Sequence, residues 1–334
     1  MLSRTSHTYS PLPSAVTFAS WILLDASSAQ EKGALLALLD ALKMRAQVFH
    51  LKRHPLLGWV PLSLCRLPFL RTVGENGLTP PWPDFVIGSG ELGTVAAALV
   101  KKRSPQRTFA VSFHTPKRPL EEFDAVISTP DGPATGPHII STTGAFSALT
   151  PQRLREAAQI WRDTIKHLPQ PWIGVWVGGP SAQSRLCPQA LDQLIRDLSL
   201  LARSTGGGLM VNAFHPLPPQ DIKRLSEGLA GVPHVLWTGE GENPHEGFLA
   251  AADYLLAPLN PGTLLGDFLA TDKPLYLYPA LTSPTRSSDI LLKHLESKGL
   301  ARPFKGSLDF WSRTFVSDIP FVAGALMTRL MSID

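Results

Sequence analysis

The chain has 334 residues, of which 44% are hydrophobic and 17% are charged, and its formal net charge is +4. This length and apolar content suit one or two well-cored domains, and no Lys/Arg run resembles a nucleic-acid-binding tract. The two cysteines, Cys65 and Cys187, lack metal-ligand spacing. They argue against a disulfide or zinc framework and for a reducing, cytoplasmic compartment. No apolar stretch is long enough to predict a membrane-spanning helix.

Short apolar segments alternate with helical patterns along the first half of the chain. Residues 16–24 form the first predicted strand, and their short apolar run favours a buried strand over a signal peptide. Thr150 is predicted to cap a helix that has Pro151 at its first position. Further strands are predicted at 47–51, 85–88, 108–113, 124–128 and 138–141, and helices at 30–44, 93–102 and 151–167.

A second series follows the proline-rich residues 168–171. Strands are predicted at 173–177, 208–212, 234–237, 254–257 and 275–278, and helices at 188–204, 221–229, 244–252, 263–270, 290–298 and 317–331. Short buried strands that alternate with helices indicate parallel sheets covered on both faces. The sequence therefore predicts an α/β protein of two Rossmann-like domains facing a central cleft, over 1–168 and 171–305, with a helical tail at 306–334. Ligands are expected at the carboxyl ends of the strands.

Residues 88–93 read GSGELG and match the Gly-x-Gly-x-x-Gly pattern of dinucleotide-binding turns. Such a site also needs an acidic residue at the end of the next strand. That strand is followed by His114 and Thr115, with no carboxylate. The pattern therefore favours a glycine-rich turn that lines the cleft over a dinucleotide site.

The strand at 173–177 runs into Gly178, Gly179, Pro180 and Ser181. Two readings of this turn stay open. Backbone N–H groups, the serine hydroxyl and Arg185 could hold phosphate oxygens. Alternatively, the segment is a glycine turn with an exposed arginine.

Residues 260–267 read NPGTLLGD and open a helix after another strand. Gly262 and Thr263 lie where a phosphate fits a helix N-terminus, and Asp267 could accept ribose hydroxyls. The alternative, slightly favoured on these residues alone, is a helix cap with an acidic first turn. Asn243 is likewise a natural N-cap before the helix at 244–252.

The histidines at 50, 114, 138 and 215 show no pairing at helical spacing, so the sequence predicts no metal site. Each is read as a polar core or loop residue. His114, at the carboxyl end of a strand, is the best placed for general-base work.

Residues 54–73 are apolar, broken by prolines and flanked by Lys and Arg. This composition would allow docking on an anionic membrane surface. A loop or short helix packed on the core is the favoured reading.

The order of several motifs resembles the Elm-type mitochondrial fission family of glycosyltransferase-like proteins, whose bacterial members have a GT-B-like fold. The resemblance covers roughly residues 24–304. It rests on QVFHLK (47–52), WPDFVIGSG (82–90), FDAVIS (123–128), STTGAFSALTP (141–151), VGGPSAQSRL (177–186), ENPHEGFLAAADYLLAP (242–258), DKPLYLYP (272–279) and KGLARPF (298–304).

The resemblance implies an acceptor in the N-terminal domain, a nucleotide-sugar in the C-terminal domain, and a last helix that crosses back to the first domain. It implies that Gly178, Gly179 and Ser181 face the donor phosphates, and that residues 260–267 correspond to the nucleotide-binding loop Asp-Ser-x-Ser-Met-x-x-Glu. No metal or cofactor is implied, since the nucleotide-sugar is a substrate. The base would come from the first domain, with candidates His114, Asp25 and Glu91.

The chain departs from the family pattern at several cationic positions. Asn212 to Pro216 (NAFHP) replace Ser-Arg-Arg-Thr-Pro, and Glu91-Leu92 replace an arginine pair after the first Gly-x-Gly. The family's Glu becomes Asp267. Losing cations from a phosphate-facing cleft removes charge-assisted contacts, so the fold is expected to carry over better than the activity.

The resulting expectation is a bacterial, metal-independent glycosyltransferase that moves a sugar from a nucleotide-sugar to a lipid or envelope-glycan hydroxyl. The expected location is cytoplasmic, peripheral on the inner membrane. One alternative is a non-catalytic protein that binds a nucleotide or a partner. The other is a nucleotide-sugar epimerase, which would convert the donor without an acceptor.

Overall fold

The computed structural model describes residues 18–25, 28–53, 70–72, 78–104, 108–132, 135–178, 186–213, 217–259, 264–279 and 286–332. The elements of its first half are β1 (Ala19–Leu24), α1 (Lys32–Ala41), β2 (Arg45–Arg53), β3 (Leu70–Thr72), β4 (Phe85–Ser89), α2 (Gly90–Arg103), β5 (Phe109–Phe113), β6 (Ala125–Ser128), β7 (Ile139–Ser141) and α3 (Pro151–Ile165).

The elements of the second half are β8 (Trp172–Trp176), α4 (Pro188–Thr205), β9 (Gly208–Asn212), α5 (Pro219–Leu229), β10 (His234–Trp237), α6 (His245–Ala251), β11 (Tyr254–Pro258), α7 (Leu264–Leu269), β12 (Leu275–Tyr278), α8 (Arg286–Ser297), β13 (Arg302–Pro303) and α9 (Ile319–Leu330). None of the helices in these described ranges is both long and apolar enough to cross a bilayer.

The strands form two sheets, which confirms the predicted α/β class. The first has the order β3-β2-β1-β4-β5-β6-β7 and the second β10-β9-β8-β11-β12-β13. All neighbouring strands pair in parallel except β2 and β3, which are antiparallel. β4 and β5 are buried along their whole length, as expected for parallel strands covered on both faces.

The register of the first sheet brings three carboxyl ends together. Leu24 of β1 pairs with Ser89 of β4, and Ser89 pairs with Phe113 of β5. The residues that follow these strands therefore meet at one edge of the sheet, where α/β proteins hold their ligands.

The elements predicted from the sequence within the described ranges are all present, with ends displaced by a few residues. Thr150 caps α3 as predicted, since its side chain accepts the Arg153 N–H at 3.2 Å. The first strand begins at Ala19, and residues 16 and 17 lie outside the described ranges. Only residues 70–72 of the segment 54–73 are described, and they form the edge strand β3 instead of the expected loop or helix.

Two polypeptide segments connect the two sheets. Helix α3 packs on α6, and its Ile165 joins the core under the second sheet. Helix α9 packs on α1, and its Val322 and Leu326 join the core under the first sheet. The chain therefore passes between the sheets once before α3 and again before α9.

Asp318 holds the two crossing segments together. Its Oδ2 accepts hydrogen bonds from the backbone N–H groups of Thr143 at 2.9 Å and Ala145 at 2.7 Å, and from the Thr143 hydroxyl at 2.8 Å. Its own N–H donates to the Ala145 carbonyl. Asp318 as a residue is 8% exposed, and the three donors to its carboxylate compensate for the lost hydration.

Arg313, just before this point, ties the second crossing to α7. Its guanidinium donates to the carbonyls of Phe268 at 2.8 Å and Lys273 at 2.9 Å, near the carboxyl end of α7. A cation is favoured there because the helix dipole is negative at this end. Burial lowers the pKa of Arg313 to about 10.

Helix α7 lies against the backbone of the first crossing segment at Gly266. A β-carbon on Gly266 would overlap the carbonyl oxygen and the amide nitrogen of Phe146. Because both clashing groups are backbone, a side chain cannot be accommodated by changing a rotamer.

We expect Gly266→Ala to destabilise the protein by about 3 kcal/mol or more, because α7 must move off the crossing segment. Gly324→Ala is the matched control. Gly324 is an exposed residue inside α9 with open space around its α-carbon, so alanine should stabilise by about 0.5–1 kcal/mol. Urea unfolding of both variants measures the difference, and equal stabilities would contradict this packing.

Candidate functional site

A cavity of about 440 Å³ opens at the carboxyl ends of β4 and β5, beside the first turn of α2. Its polar lining includes Glu31, Glu91, His114, Thr115, Lys117 and Arg118, and its apolar lining includes Val95, Phe113, Pro116 and Pro119. A concave, mainly apolar space with a few convergent polar groups is the usual form of a small-molecule site. Two of the three candidate bases, His114 and Glu91, line it.

His114 directly follows β5 and has a left-handed backbone, with φ of +76°. A non-glycine residue in this region costs on the order of 1–3 kcal/mol. Two hydrogen bonds fix it: the His114 N–H donates to the Ile127 carbonyl at 3.0 Å, and the Ser112 hydroxyl donates to the His114 carbonyl at 2.8 Å. The strained backbone turns the imidazole onto the ring of Phe113, at 4.5 Å between centroids.

The imidazole contacts a buried carboxylate that the sequence analysis missed. Glu31 ends a short 3₁₀ turn after β1, and its Oε1 lies 2.9 Å from Nε2 of His114. Its other oxygen accepts a hydrogen bond from the hydroxyl group of Ser89, the last residue of β4. The Glu31 side chain is 9% exposed and the His114 side chain 41%.

One sequence pattern does point to Glu31, but to a different role. Ser28 and Glu31 have the Ser-x-x-Glu spacing of a helix capping box. In the structure the Ser28 side chain makes no capping bond and donates to the Ser89 carbonyl at 2.9 Å. Glu31 turns instead toward Ser89 and His114, which the local pattern cannot specify.

Asp25 lies beside the cavity but is used in the fold. Its Oδ2 accepts the Leu92 N–H at 3.0 Å, and its Oδ1 accepts the Ser28 N–H at 3.2 Å. It is 6% exposed and does not line the cavity. The carboxylate occupies the amino end of α2, where a dinucleotide would place its phosphates. This geometry supports the glycine-turn reading of residues 88–93.

Glu91 forms an ion pair with Lys117 at the mouth of the cavity. Its side chain is 51% exposed and that of Lys117 85%. An exposed pair of this kind contributes little to stability. Of the three candidate bases, His114 alone combines access to the cavity with a hydrogen bond to a buried partner, Glu31.

In the second sheet, Gly178 follows β8 with a left-handed φ of +86°. The phenol of Tyr278 donates to the neighbouring Trp176 carbonyl at 2.6 Å. Burial raises the pKa of Tyr278, against a smaller opposite effect of a backbone hydrogen bond from Gly178. The other predicted phosphate contacts, Gly179, Ser181, Arg185, Gly262 and Thr263, lie outside the described residues.

Asp267 is the centre of a hydrogen-bonded chain between the two sheets. The Nε1–H of Trp176 donates to Nδ1 of His245 at 2.8 Å. An indole N–H can only donate, so Nδ1 accepts and Nε2 carries the ring proton. Nε2 then donates to Oδ2 of Asp267 at 3.0 Å, and Oδ1 accepts the Ser147 hydroxyl. Both oxygens predicted for ribose therefore have protein partners.

The predicted N-cap at Asn243 is displaced by one residue, since the N-cap of α6 is Pro244 and Asn243 lies just before it. Its Oδ1 accepts the His245 N–H at 3.0 Å and the amide of Asn212 at 3.1 Å. The Oδ1 atom of Asn212, which ends β9, is buried and has no hydrogen-bond partner in the described part of the chain. Within those same residues, no group of three or more His, Cys, Asp or Glu side chains could hold a metal ion.

Comparison with known proteins identifies the family. The model of the family described as mitochondrial fission ELM1 matches residues 31–330. The chain belongs to the mitochondrial fission ELM1 family. The mitochondrial fission protein ELM1 of Arabidopsis thaliana is 26% identical over an alignment of 276 residues, which covers 74% of this chain and 64% of that relative. The chain thus spans less than two thirds of the length of this relative.

Solved structures with little sequence identity show which fold this ELM1-family chain has. A UDP-GlcNAc 2-epimerase from Neisseria meningitidis, bound to UDP-GlcNAc, gives a TM-score of 0.52 at 10% identity, covering 94% of this chain and 100% of that chain. The UDP-GlcNAc 2-epimerase from Methanocaldococcus jannaschii gives a TM-score of 0.52 at 11% identity, covering 95% of this chain and 100% of that chain. The fold is therefore GT-B-like, as the resemblance implies, with two Rossmann-like units in one chain.

The left-handed backbone of His114 should affect the stability of variants at this position. His114→Gly should be more stable than His114→Ala by about 1–2 kcal/mol, because glycine adopts this backbone without a β-carbon clash. His138, whose backbone is not left-handed, is the control position, where the alanine variant should be at least as stable as the glycine variant. Urea unfolding measures both pairs, and the same order at both positions would contradict strain at His114.

Proposed function

We propose that this ELM1-family chain is a metal-independent glycosyltransferase. It would move a sugar from a nucleotide-sugar to a hydroxyl group of a lipid or envelope glycan bound in the first-domain cavity. The observation that carries the proposal is the placement of His114. Its imidazole lines a ligand-sized cavity at the carboxyl ends of β4 and β5, with Nε2 hydrogen-bonded inside the protein. Such an acceptor would place the protein at the cytoplasmic face of the inner membrane.

The proposed chemistry needs a base on the acceptor side. The acceptor O–H would lose its proton to His114 as its oxygen bonds to the anomeric carbon of the sugar. The bond between that carbon and the nucleoside diphosphate would break, and its electron pair would leave with the diphosphate. Backbone N–H groups and helix N-termini of the second domain would stabilise that charge.

The donor side is supported by the fold and by position. The N. meningitidis epimerase with the same fold is described as bound to UDP-GlcNAc, which makes a uridine diphosphate sugar the first donor to test. Gly178 follows β8 and has the left-handed backbone that lets N–H groups converge on an anion. Asp267, His245 and Ser147 lie between the two sheets, where a donor would be enclosed.

Two alternative functions each have a supporting observation. The fold similarity to epimerases favours a nucleotide-sugar epimerase, which would change the donor in the absence of an acceptor. The internal pairing of both Asp267 oxygens, with the arginines missing from the sequence, favours a binding protein without catalysis.

We expect UDP-GlcNAc to bind and to stabilise the protein by about 2.7 kcal/mol at one hundred times its dissociation constant. Thermal unfolding against UDP-, GDP-, ADP-, CMP- and dTDP-sugars measures selectivity. NMR of the sugar then separates the functions. Donor change without an acceptor indicates an epimerase, and donor change only with an acceptor indicates a transferase. Binding without turnover indicates a binding protein, and no response at millimolar concentration contradicts a donor site.

We expect His114→Gln to lower the rate of transfer by about 10²–10⁴-fold, because the general base is lost. Donor binding should stay unchanged, since His114 lies in the other domain. His138→Gln, which removes a histidine outside the cavity lining, is the control for loss of an imidazole. Single-turnover transfer with titrated donor separates the two steps. A His114→Gln variant with full activity would exclude His114 as the base.

A further inference from the structure

Glu31 carries a buried carboxylate, and both of its oxygens bind side chains from other parts of the chain. It is 7% exposed as a residue, and its neighbour Ser89 is fully buried. A buried carboxylate is costly unless hydrogen bonds compensate for its lost hydration. Its two oxygens use the Ser89 hydroxyl and the His114 ring for this purpose.

These contacts decide which nitrogen of His114 carries the proton. A carboxylate has only acceptor atoms, so the Nε2 atom facing Glu31 must carry the hydrogen. In the neutral imidazole, Nδ1 then has a free electron pair, and no described residue makes a hydrogen bond to it. The ring belongs to the cavity lining, so this nitrogen is the one left for a ligand.

Neighbouring charges do not compete for the same nitrogen. Glu91 is paired with Lys117, and Glu122 is paired with Arg118 through two hydrogen bonds, of which that from Nη2 to Oε1 measures 2.9 Å. The backbone of His114 is held on both sides by Ile127 and Ser112. Ring rotation about the side-chain bonds is therefore the main freedom left to His114, and the contact with Glu31 limits it.

We propose that Glu31 is the positioning residue of the transfer reaction, fixing His114 as the Nε2–H tautomer so that Nδ1 receives the acceptor proton. This inference rests on the proposed function. As the acceptor oxygen bonds to the anomeric carbon, its proton passes to Nδ1, and the nucleoside diphosphate leaves with the electron pair of the broken bond. The imidazolium formed is stabilised by the Glu31 carboxylate, while Ser89 holds that carboxylate in place.

The test combines kinetics with a direct view of the ring. Glu31→Met keeps a side chain of similar length and removes the acceptor. We expect it to lower kcat by about 10²–10⁴-fold with little change in the KM of donor or acceptor. In ¹⁵N NMR of labelled histidine, His114 should change from the Nε2–H tautomer to a mixture of both tautomers. Glu156→Met, which removes an exposed carboxylate on α3, should change neither.

Glu31→Gln tests the same point with a smaller perturbation. Its amide oxygen can still accept from Nε2, so the tautomer should be largely retained and kcat should fall less than in Glu31→Met. This variant also keeps the test decisive if Glu31→Met does not fold, because a Gln variant that loses the Nε2–H tautomer and keeps full kcat would overturn the proposal.

The outcomes separate this inference from the function on which it rests. An active wild type with a fully active Glu31→Met variant overturns the role of Glu31 and leaves the transferase function standing. A wild type with the Nδ1–H tautomer, or a slow Glu31→Met variant whose tautomer is unchanged, also overturns it. A wild type that transfers no sugar from any donor overturns the proposed function and this role together.

Discussion

The contact between α7 and the first crossing segment is the constraint on which the arrangement of the two sheets depends. Gly266 lies on the backbone of Phe146 with no room for a side chain. The next residue along α7, Asp267, accepts a hydrogen bond from the hydroxyl group of Ser147, the neighbour of Phe146. The close contact between the backbones at Gly266 and Phe146 therefore also positions the Asp267 carboxylate, which joins His245 to the crossing segment. Asp318 completes the joint by binding Thr143 and Ala145.

The candidate acceptor site at the first sheet and the candidate donor site at the second sheet are held in place by different kinds of contact. On the first sheet, Glu31 and His114 come from segments after β1 and β5, and Ser89 ends β4 between them. They meet because parallel strands in register bring their carboxyl ends to one edge. On the second sheet, Trp176, His245 and Asp267 form a chain that starts in the core and reaches Ser147 of the first crossing segment. The first group leaves one ring nitrogen without a described partner, whereas the second satisfies both nitrogens of its histidine.

The position of α2 shows how one glycine-rich turn can serve two purposes in different proteins. Gly88 and Gly93 allow the helix to approach β1 and β4, since a β-carbon on either would overlap backbone. In a dinucleotide site the same approach lets phosphates reach the helix N-terminus. Here Asp25 takes that place and binds the Leu92 N–H. The pattern of glycines therefore reports close packing, and the identity of the anion depends on a residue far away in sequence.

The sequence by itself determined the order of helices and strands, the α/β class and the cap at Thr150. Hydrophobic periodicity and capping are local properties, so they can be read over windows of a few turns. The same windows missed β3 and β13, because these short strands lack the adjacent apolar pair, Ile139 and Ile140, that revealed β7. The sequence also suggested His114 as a candidate base, since it directly follows a buried strand, and the structure shows its side chain in the cavity lining.

The tertiary structure decided the partners of each candidate residue. Glu31 and His114 are 83 positions apart, Asp25 and Leu92 are 67 apart, and Ser147 and Asp267 are 120 apart. No local pattern encodes such pairs, and the local pattern at Ser28 and Glu31 points to a capping box that does not form. Which carboxylate is structural and which faces a ligand depends on strand order and register, because these fix which chain segments meet at the edge of the sheet.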